Sequence, residues 1–426
     1  MDNFDTIVIG GGPSGAAAAA AAARRGSKTL LIEKTLSLGG MGTNGMVNTW
    51  APFSDGISIL YKGIAEEVFT GVKARMPHVP SAAVDWVPIS AEDLKCVYDS
   101  LVLKSGVHLL FNVTLCGADM NGGEIEAITV FDGTSFKKLH ATHYIDCTGN
   151  ALLAHYAGAP CQKGDDNGGL QAATLCFAIA NVDERYYHTT MLHTCYKDSI
   201  IFKIKESGKY PLVDAGHFID HKIGPGTVGF NAGHLWDTDD EHPEEITKSM
   251  LKGREISNET YRALKEFFPE AFGNSYLVST APVLGIRESR RIVGEYVLTA
   301  EDYTARRKFD DDIAENCYYL DVHPGKNKNV TKIENAAYAP GESHGIPYRS
   351  LLPRKVGNLI VAGRAISCDK YVFGSIRVMP TCLVTGEAAG AACALAQLYG
   401  VPLRGIDINT LQSWLPSVNG SKGKTE

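Results

Sequence analysis

Three glycines near the start of the chain have the spacing of a phosphate-binding turn. Gly10, Gly12 and Gly15 follow the apolar run 5–9 and lead into eight alanines at 16–23. One glycine makes the turn, a second lets backbone N–H groups approach a pyrophosphate, and a third lets the helix pack closely on the sheet. The unpaired N–H groups and the helix dipole favour phosphate at that helix N-terminus. The residues assigned to this dinucleotide site are Gly10, Gly12, Pro13, Ser14 and Gly15.

An acidic residue follows the second predicted strand. Glu33 comes directly after the apolar run 28–32, about 20 residues beyond the turn, where a carboxylate binds the ribose of a dinucleotide. Turn, strand, helix and acid in one register favour nucleotide binding over a purely structural glycine turn. Lys34 is assigned to the same site. The glycine-rich segment 38–47 can lie against the ligand, because glycine permits close backbone approach.

A basic cluster further along the chain could hold a substrate. Arg287, Arg290 and Arg291 lie within five residues, and guanidinium groups bind carboxylates and other anions with two parallel hydrogen bonds. The cluster predicts a substrate with an anionic group, held by Arg287. The alternative is structural, with the arginines neutralising acids and tying two parts of the chain together. The acids considered are Glu288, Glu295, Glu301 and Asp302.

His344 and Tyr348 are the candidates for moving a proton. They lie where the sequence returns to the strand-and-glycine-turn pattern of its first part. Of the two side chains, the imidazole of His344 has the unperturbed pKa nearer to neutral pH. His323 is an alternative. The competing interpretation is that His344 or Tyr348 is a packed, hydrogen-bonded residue at a junction between two parts of the chain.

The predicted elements place these residues at the ends of strands and helices. A helix is expected near 91–105. A buried strand at 144–147 runs into Thr148 and Gly149, which can give a second backbone contact to the nucleotide or form an ordinary strand-end turn. Between this helix and this strand, apolar residues alternate with polar ones in runs separated by turn residues, which predicts an antiparallel meander. These runs are 107–116, 124–131 and 134–139.

The middle of the chain has a different pattern of predicted strands, turns and helices from the first part, and the last part returns to the pattern of the first. The turn 224–229 also has glycines spaced as G-x-G-x-x-G, but no small-residue helix follows it, so we reject a second dinucleotide site. A helix is expected over 242–268. A strand near 356–361 then enters a glycine turn, and Pro380 starts a helix that ends at Gly400. Small residues on one face of that helix predict close packing on the sheet.

Composition sets limits on the function. The 426 residues carry a net charge of −7, which gives no overall field to attract nucleic acid or an anionic membrane surface. The ten cysteines include no C-x-x-C pair, which predicts reduced thiols in a cytoplasmic protein without a metal site. The acidic start is unlike a secretory signal. Outside the alanine helix, no apolar run was expected to reach the ~20 residues of a membrane span.

These motifs together resemble the FAD-dependent oxidoreductases of the fumarate reductase-like branch of the glutathione reductase superfamily. The similarity extends over almost the whole chain. The segments that carry it are 10–15, Glu33, 39–43, 146–149, 285–294 and 346–396.

The resemblance implies an α/β fold, with a Rossmann-like FAD-binding domain of three-layer ββα architecture and an α+β substrate or cap domain. The FAD domain would comprise 1–175 and 340–426, and the cap 176–339. Family members with covalent flavin have a histidine that 36–49 lacks, so noncovalent FAD is expected. Beyond the glycine turn, the implied FAD contacts are Gly40, Met41, Gly42, Thr43, Val113, Thr148, Gly149, Gly363, Arg364, Arg377, Pro380 and Thr381.

The implied activity is hydride transfer between a small organic substrate, at a C–H or C=C bond, and flavin N5, with electrons passing to an unknown acceptor. One alternative is a flavin monooxygenase that uses NAD(P)H and oxygen. Another is an FAD-carrying electron-transfer subunit or an RNA-modifying flavoprotein, although the charge of −7 disfavours RNA. Assembly into a homo-oligomer is compatible with the sequence, which does not determine it.

Overall fold

The computed structural model describes residues 3–165, 168–323 and 336–418. The strands are β1 (Phe4–Ile9), β2 (Thr29–Glu33), β3 (His108–Phe111), β4 (Thr114–Asn121), β5 (Glu124–Phe131), β6 (Phe136–Leu139), β7 (Ala141–Asp146), β8 (Cys161–Gln162), β9 (Phe177–Ala180), β10 (Phe218–Gly224), β11 (Thr227–Ala232), β12 (Tyr276–Thr280), β13 (Arg291–Ile292), β14 (Asp312–Asn316), β15 (His344–Pro347) and β16 (Leu359–Val361). The helices are α1 (Pro13–Arg24), α2 (Ile64–Lys73), α3 (Ala91–Lys104), α4 (Leu152–Tyr156), α5 (Ile200–Ser207), α6 (Pro243–Phe267), α7 (Pro269–Phe272), α8 (Ala300–Thr304), α9 (Val372–Ile376), α10 (Met379–Tyr399) and α11 (Ile408–Ser413).

A five-stranded parallel sheet in the order β16-β7-β1-β2-β3 forms the centre of the fold. Apart from the edge strand β3, its strands are largely buried on both faces, as expected for a parallel sheet covered on both sides. Along β1, Val8 points into a core shared with α1 and α10, whereas Ile7 and Ile9 point into a core shared with the β4-β5-β6 meander. Helices, parallel sheet and meander are the three layers of the predicted Rossmann-like ββα architecture.

The predicted meander was wrong at its first strand. The run 107–116 divides at Asn112, where the backbone has φ 58°. Its first part, β3, pairs in parallel with β2, and only its second part, β4, joins the antiparallel meander. A period of two describes any strand with one exposed face, so it does not distinguish these two partners.

The small-residue face of α10 packs against another helix, not primarily against the sheet as predicted. A Cβ at Gly386 would lie 2.1 Å from the carbonyl oxygen of Ser14, and one at Gly390 would lie 2.1 Å from that of Ala18. The alanines of α1 present an equally small surface, and this lets the two backbones touch. Helix α10 is also apolar and long enough to cross a membrane, an apolar run that the sequence prediction missed. Residues 379–396 of this helix are buried inside the fold, and only its last turn is exposed.

A second sheet carries the middle of the chain. Its order is β10-β11-β9-β12, and all neighbouring strands are antiparallel. Helices α5, α6 and α7 cover one face and share an apolar core with it. The turn 224–229 is the β10-β11 hairpin turn, in agreement with its rejection as a nucleotide site. A second region of mixed α and β structure therefore adjoins the Rossmann-like part.

Candidate active site

The glycine turn between β1 and α1 is shaped as a cradle. Gly10 has φ +95°, and a Cβ there would lie 2.6 Å from the carbonyl oxygen of Cys147. A Cβ at Gly15 would lie 1.7 Å from the carbonyl oxygen of Gly10, whereas one at Gly12 would meet nothing within 4 Å. Two glycines therefore close the turn, and the third leaves open space beside the N-terminus of α1. This arrangement fits a bound pyrophosphate.

Glu33 is joined to the turn directly. Its Oε2 accepts a hydrogen bond from the backbone N–H of Gly11 at 2.6 Å, and its Oε1 accepts from Thr35. The backbone N–H of Val113 donates to the carbonyl oxygen of Glu33 at 3.1 Å. Lys34 is exposed. The residues predicted for the adenosine end therefore lie beside the turn, and their contacts with adenosine stay a prediction.

The glycine-rich loop after β2 lies on the same turn. A Cβ at Gly40 would be 3.2 Å from the Cα of Gly12, and one at Gly42 would be 2.9 Å from the Sδ of Met379, the first residue of α10. The Thr43 hydroxyl holds the loop by donating to the carbonyl oxygen of Leu38 at 2.6 Å. The loop therefore connects the glycine turn with the start of α10.

The segment 359–364, in which the chain returns to the parallel sheet, lies on the other side of the glycine turn; we call it the returning segment. Gly363 has φ +81°, and a Cβ there would lie 2.6 Å from the Oγ of Ser14. Arg364 Nε donates to the carbonyl oxygen of Gly149, the strand-end residue beside Thr148. Of the predicted cofactor residues, Gly40, Thr148 and Gly363 thus lie against the glycine turn. The structure also places Pro380 in the first turn of α10, where a helix N-terminus would favour the negative charge of reduced flavin.

His344 and Tyr348 are enclosed within the fold. The Nδ1 of His344 is 2.9 Å from the Tyr338 hydroxyl, and burial lowers the pKa of His344 to about 3. The Tyr348 hydroxyl donates to the carbonyl oxygen of Leu403 at 3.0 Å, and burial raises the pKa of Tyr348 well above its usual value. These contacts match the packed, hydrogen-bonded interpretation. The structure does not place either side chain beside Arg287.

The three clustered arginines have different surroundings. Arg290 pairs with Glu241, and Arg291 pairs with Glu288 at 3.1 Å and donates to the carbonyl oxygen of Cys368. Arg291 therefore behaves as the structural alternative expected, whereas the partner of Arg290, Glu241, was not among the acids considered. Arg287 forms no ion pair with a carboxylate of the described residues. Its guanidinium donates to the carbonyl oxygen of Ala172 and the Thr174 hydroxyl, and Nη2 lies 2.9 Å from His217 Nε2.

Arg287 belongs to a group of polar side chains that we call the arginine–histidine cluster. Burial and the nearby Arg377 lower the pKa of Arg287 to about 10. Burial opposes ionisation of Asp321, yet its ion pair with Arg377 holds the pKa of Asp321 well below its usual range. Burial and Arg287 lower the pKa of His323 to about 4. The cluster comprises Gln171, Asp214, His217, His234, Arg287, Asp321, His323 and Arg377.

Two hydrogen-bond donors in this cluster have no partner. The Nε of Arg377 and the Nε2 of Gln171 are buried and bind nothing among the described residues. The other end of the Gln171 amide is fixed, because its Oε1 accepts from the backbone N–H of His323 at 3.2 Å. A buried donor without a partner costs about 1–3 kcal/mol. These two donors, beside a second arginine, fit an anionic ligand.

The arginine–histidine cluster adjoins the predicted flavin end. Arg377 lies two residues before α10, and its carbonyl oxygen accepts from the Cys382 thiol. Arg364 Nη1 donates to the carbonyl oxygen of Ile286, the residue before Arg287. A separate polar cleft of about 330 Å³, lined by residues such as Asp55, Arg306 and Lys308, contains none of the predicted site residues.

Sequence reasoning missed most of the cluster, although one signal was present. The β10-β11 hairpin pairs Phe218 with Ala232, so its open end brings His217 next to the segment that contains His234. The hairpin turn was recognised, and extending its register would have joined these two histidines. Gln171, Asp214 and Asp321 carried no local signal.

Comparison with solved structures gives matches at low sequence identity. Solved structures with similar folds include a geranylgeranyl bacteriochlorophyll reductase-like protein from Thermoplasma acidophilum, 14% identical, covering 99% of this chain and 87% of that one, with a TM-score of 0.47. The flavin-dependent brominase Bmp2 is 14% identical, with 99% and 85% covered and a TM-score of 0.48. AlpK is 12% identical, with 92% and 62% covered and a TM-score of 0.46. No curated protein matches the sequence.

A family model decides the class of protein. The model described as FAD dependent oxidoreductase matches residues 5–415, which is nearly the whole chain. The cradle at Gly12 and the carboxylate of Glu33 fit its cofactor, FAD. The chain belongs to the FAD-dependent oxidoreductase family.

Proposed function

We propose that this enzyme transfers a hydride between a small anionic organic substrate and flavin N5. The observation that carries the proposal is the pair of buried, unpartnered donors, Arg377 Nε and Gln171 Nε2, beside the Arg287 guanidinium. Bound FAD would accept or donate the hydride, and the protein would supply binding and orientation. The reacting bond would be a C–H or C=C bond near the anionic group.

The cluster can orient such a substrate because its donors are rigid. Arg377 is held by two hydrogen bonds to Asp321, one to the backbone carbonyl oxygen and one to the carboxylate. Arg287 is held by Ala172, Thr174 and His217. Donors that are already positioned lose little side-chain entropy when the anion binds. Holding the reacting carbon in register is a large part of what a hydride-transfer enzyme contributes.

The remaining assignments are proposals of the same kind. We propose that FAD is bound noncovalently by the residues around Gly12, and that 1–175 and 340–426 form its domain, with 176–339 forming the substrate domain. We also propose that the protein belongs to the fumarate reductase-like branch and acts in the cytoplasm. In this proposal it binds neither nucleic acid nor membranes, and it passes electrons to an acceptor that is still to be identified.

An anaerobic screen tests the proposal. The oxidised holoenzyme would be mixed with hydroxy acids and with sugars, and holoenzyme with reduced flavin would be mixed with α,β-unsaturated acids. The long-wavelength absorbance band of the flavin would be recorded in both cases. Carboxylic acids should change that band, and their methyl esters should not, because an ester lacks the charge that the arginines bind. Arg287→Ala should slow the reaction, and an unchanged rate would remove Arg287 from substrate binding. Rapid flavin reduction by NADPH alone would instead favour a monooxygenase.

A further inference from the structure

Two histidines of the arginine–histidine cluster face each other, each through one ring nitrogen that we call its inner nitrogen. His234 Nε2 and His323 Nδ1 are 3.1 Å apart. The outer nitrogens are each next to a carboxylate, His234 Nδ1 at 2.6 Å from Asp214 Oδ2 and His323 Nε2 at 3.3 Å from Asp321 Oδ1. A carboxylate accepts hydrogen bonds, so it favours a hydrogen on the nitrogen beside it. Neither inner nitrogen then carries a hydrogen, so their two lone pairs repel each other unless a proton or a metal ion binds both nitrogens.

A third imidazole completes the group. His217 lies with its ring centroid 5.1 Å from that of His234 and 4.9 Å from that of His323. One ring nitrogen from each of the three histidines lies within 4.8 Å of the other two. His217 Nε2 is also 3.1 Å from the Asn231 side-chain oxygen. The outer nitrogens of His234 and His323 are therefore each next to a carboxylate, whereas His217 Nε2 is next to both the Asn231 oxygen and the Arg287 guanidinium.

Although the sequence predicts no metal site, from this geometry we propose that His217, His234 and His323 bind one divalent transition-metal ion. Imidazole suits zinc, iron and nickel. Two nitrogens bound at about 2.05 Å in a tetrahedral site lie about 3.3 Å apart, close to the 3.1 Å between His234 Nε2 and His323 Nδ1. Carboxylates that orient metal-bound imidazoles through the outer nitrogen are the usual support for such sites. This pattern is what separates the three histidines from a chance cluster.

The charges around the group permit a cation. The positive groups are Arg287 and Arg377, and the negative groups are Asp214 and Asp321. These four charges cancel, so the ion enters surroundings without net charge from its neighbours. Three protein ligands also leave a coordination position for water or for an anionic ligand. The metal site goes beyond the proposed hydride transfer, and it can be measured without any substrate.

Metal binding by the holoenzyme tests the proposal. The full-length protein, with its FAD and without an affinity tag, would be stripped with a chelator, dialysed, and titrated with Zn²⁺ by calorimetry, with zinc content measured by mass spectrometry. We expect one Zn²⁺ per chain. His234→Ala should abolish this binding, and Asp214→Asn should weaken it about 10–100-fold, the usual effect of losing a supporting carboxylate. Asp214 is 30% exposed, so its substitution should preserve the fold.

A matched control uses a histidine outside the group. His188 is exposed in the same region of the chain and contacts only Thr190 through its ring nitrogen, so His188→Ala should bind Zn²⁺ like the wild type. Flavin absorbance and the melting temperature would be recorded for every variant. Substoichiometric Zn²⁺ in the wild type, or unchanged affinity in both His234→Ala and Asp214→Asn, would overturn the proposal and leave a proton shared between His234 and His323. Either result is independent of whether a carboxylic acid reduces the flavin.

Discussion

Substitution of Gln171 by glutamate tests anion recognition with little change in shape. The Gln171 side chain is 6% exposed, its Oε1 accepts from the backbone N–H of His323, and its Nε2 has no partner among the described residues. Glutamate keeps an oxygen for the His323 N–H and replaces only the free donor. The variant should therefore fold and bind FAD like the wild type, while losing a hydrogen bond to the substrate anion.

The magnitude follows from the charge of the partner. A hydrogen bond to a charged group contributes about 1.5–3 kcal/mol, which corresponds to about 10–150-fold in Kd. The new carboxylate adds repulsion toward the substrate, partly offset by Arg287 and Arg377. We therefore expect the Kd of the carboxylic acid found in the anaerobic screen to rise by at least about tenfold in Gln171→Glu.

The assay is stopped-flow reduction of the flavin at increasing concentrations of that acid. The concentration dependence gives Kd, and the plateau gives the rate constant of hydride transfer. Gln162→Glu is the matched control, because it makes the same chemical change at an exposed position of β8. Equal Kd values for Gln171→Glu, Gln162→Glu and the wild type would show that Gln171 does not contact the anion, and the site would have to be placed elsewhere.

Four further outcomes are expected. Gly12→Ala should leave the stability of the apoprotein unchanged, because the added Cβ meets no protein atom, but it should weaken FAD binding, measured by flavin fluorescence, because the Cβ enters the space proposed for the pyrophosphate. Gly386→Ala should lower the free energy of unfolding in urea by about 1–3 kcal/mol, since its Cβ would overlap the Ser14 backbone. Burial raises the pKa of Asp312 to about 7, so this carboxyl weakens the fold increasingly as pH rises from about 3.8 to 7. Asp312→Asn should accordingly stabilise by about 2–3 kcal/mol more at pH 8 than at pH 5, and an equal effect at both would contradict the assignment. Acid precipitation should release all of the yellow flavin into the supernatant; colour that remains on the protein would indicate a covalent link.

The Rossmann-like core was predictable because its signals are local. The turn at Gly10, Gly12 and Gly15 depends on backbone conformations and close approaches that only glycine allows. The two-sided apolar strands reflect a sheet covered on both faces. The partners of individual elements were harder to predict, since the split at Asn112 and the packing of α10 on α1 depend on which surfaces meet.

The candidate catalytic residues show that residue type and position in the sequence do not suffice to predict a catalytic role. His344 and Tyr348 were selected for their chemistry and their place at a junction, yet their polar atoms are used in internal hydrogen bonds to Tyr338 and Leu403. Arg287 was selected in the same way, and it lies among the polar side chains of the arginine–histidine cluster. Burial and available partners decide such roles, and neither is encoded in a short motif.

The sequence alone determined the cofactor class, the order of the main elements and a basic segment suited to an anion. These depend on patterns within about 20–30 residues, where chain geometry fixes the distances. Only the tertiary structure brought together Gln171, His217, His234 and His323, which lie on separate segments. Their meeting depends on how the open end of the β10-β11 hairpin packs against the segments that contain Gln171 and His323, and no local pattern of residues specifies that contact.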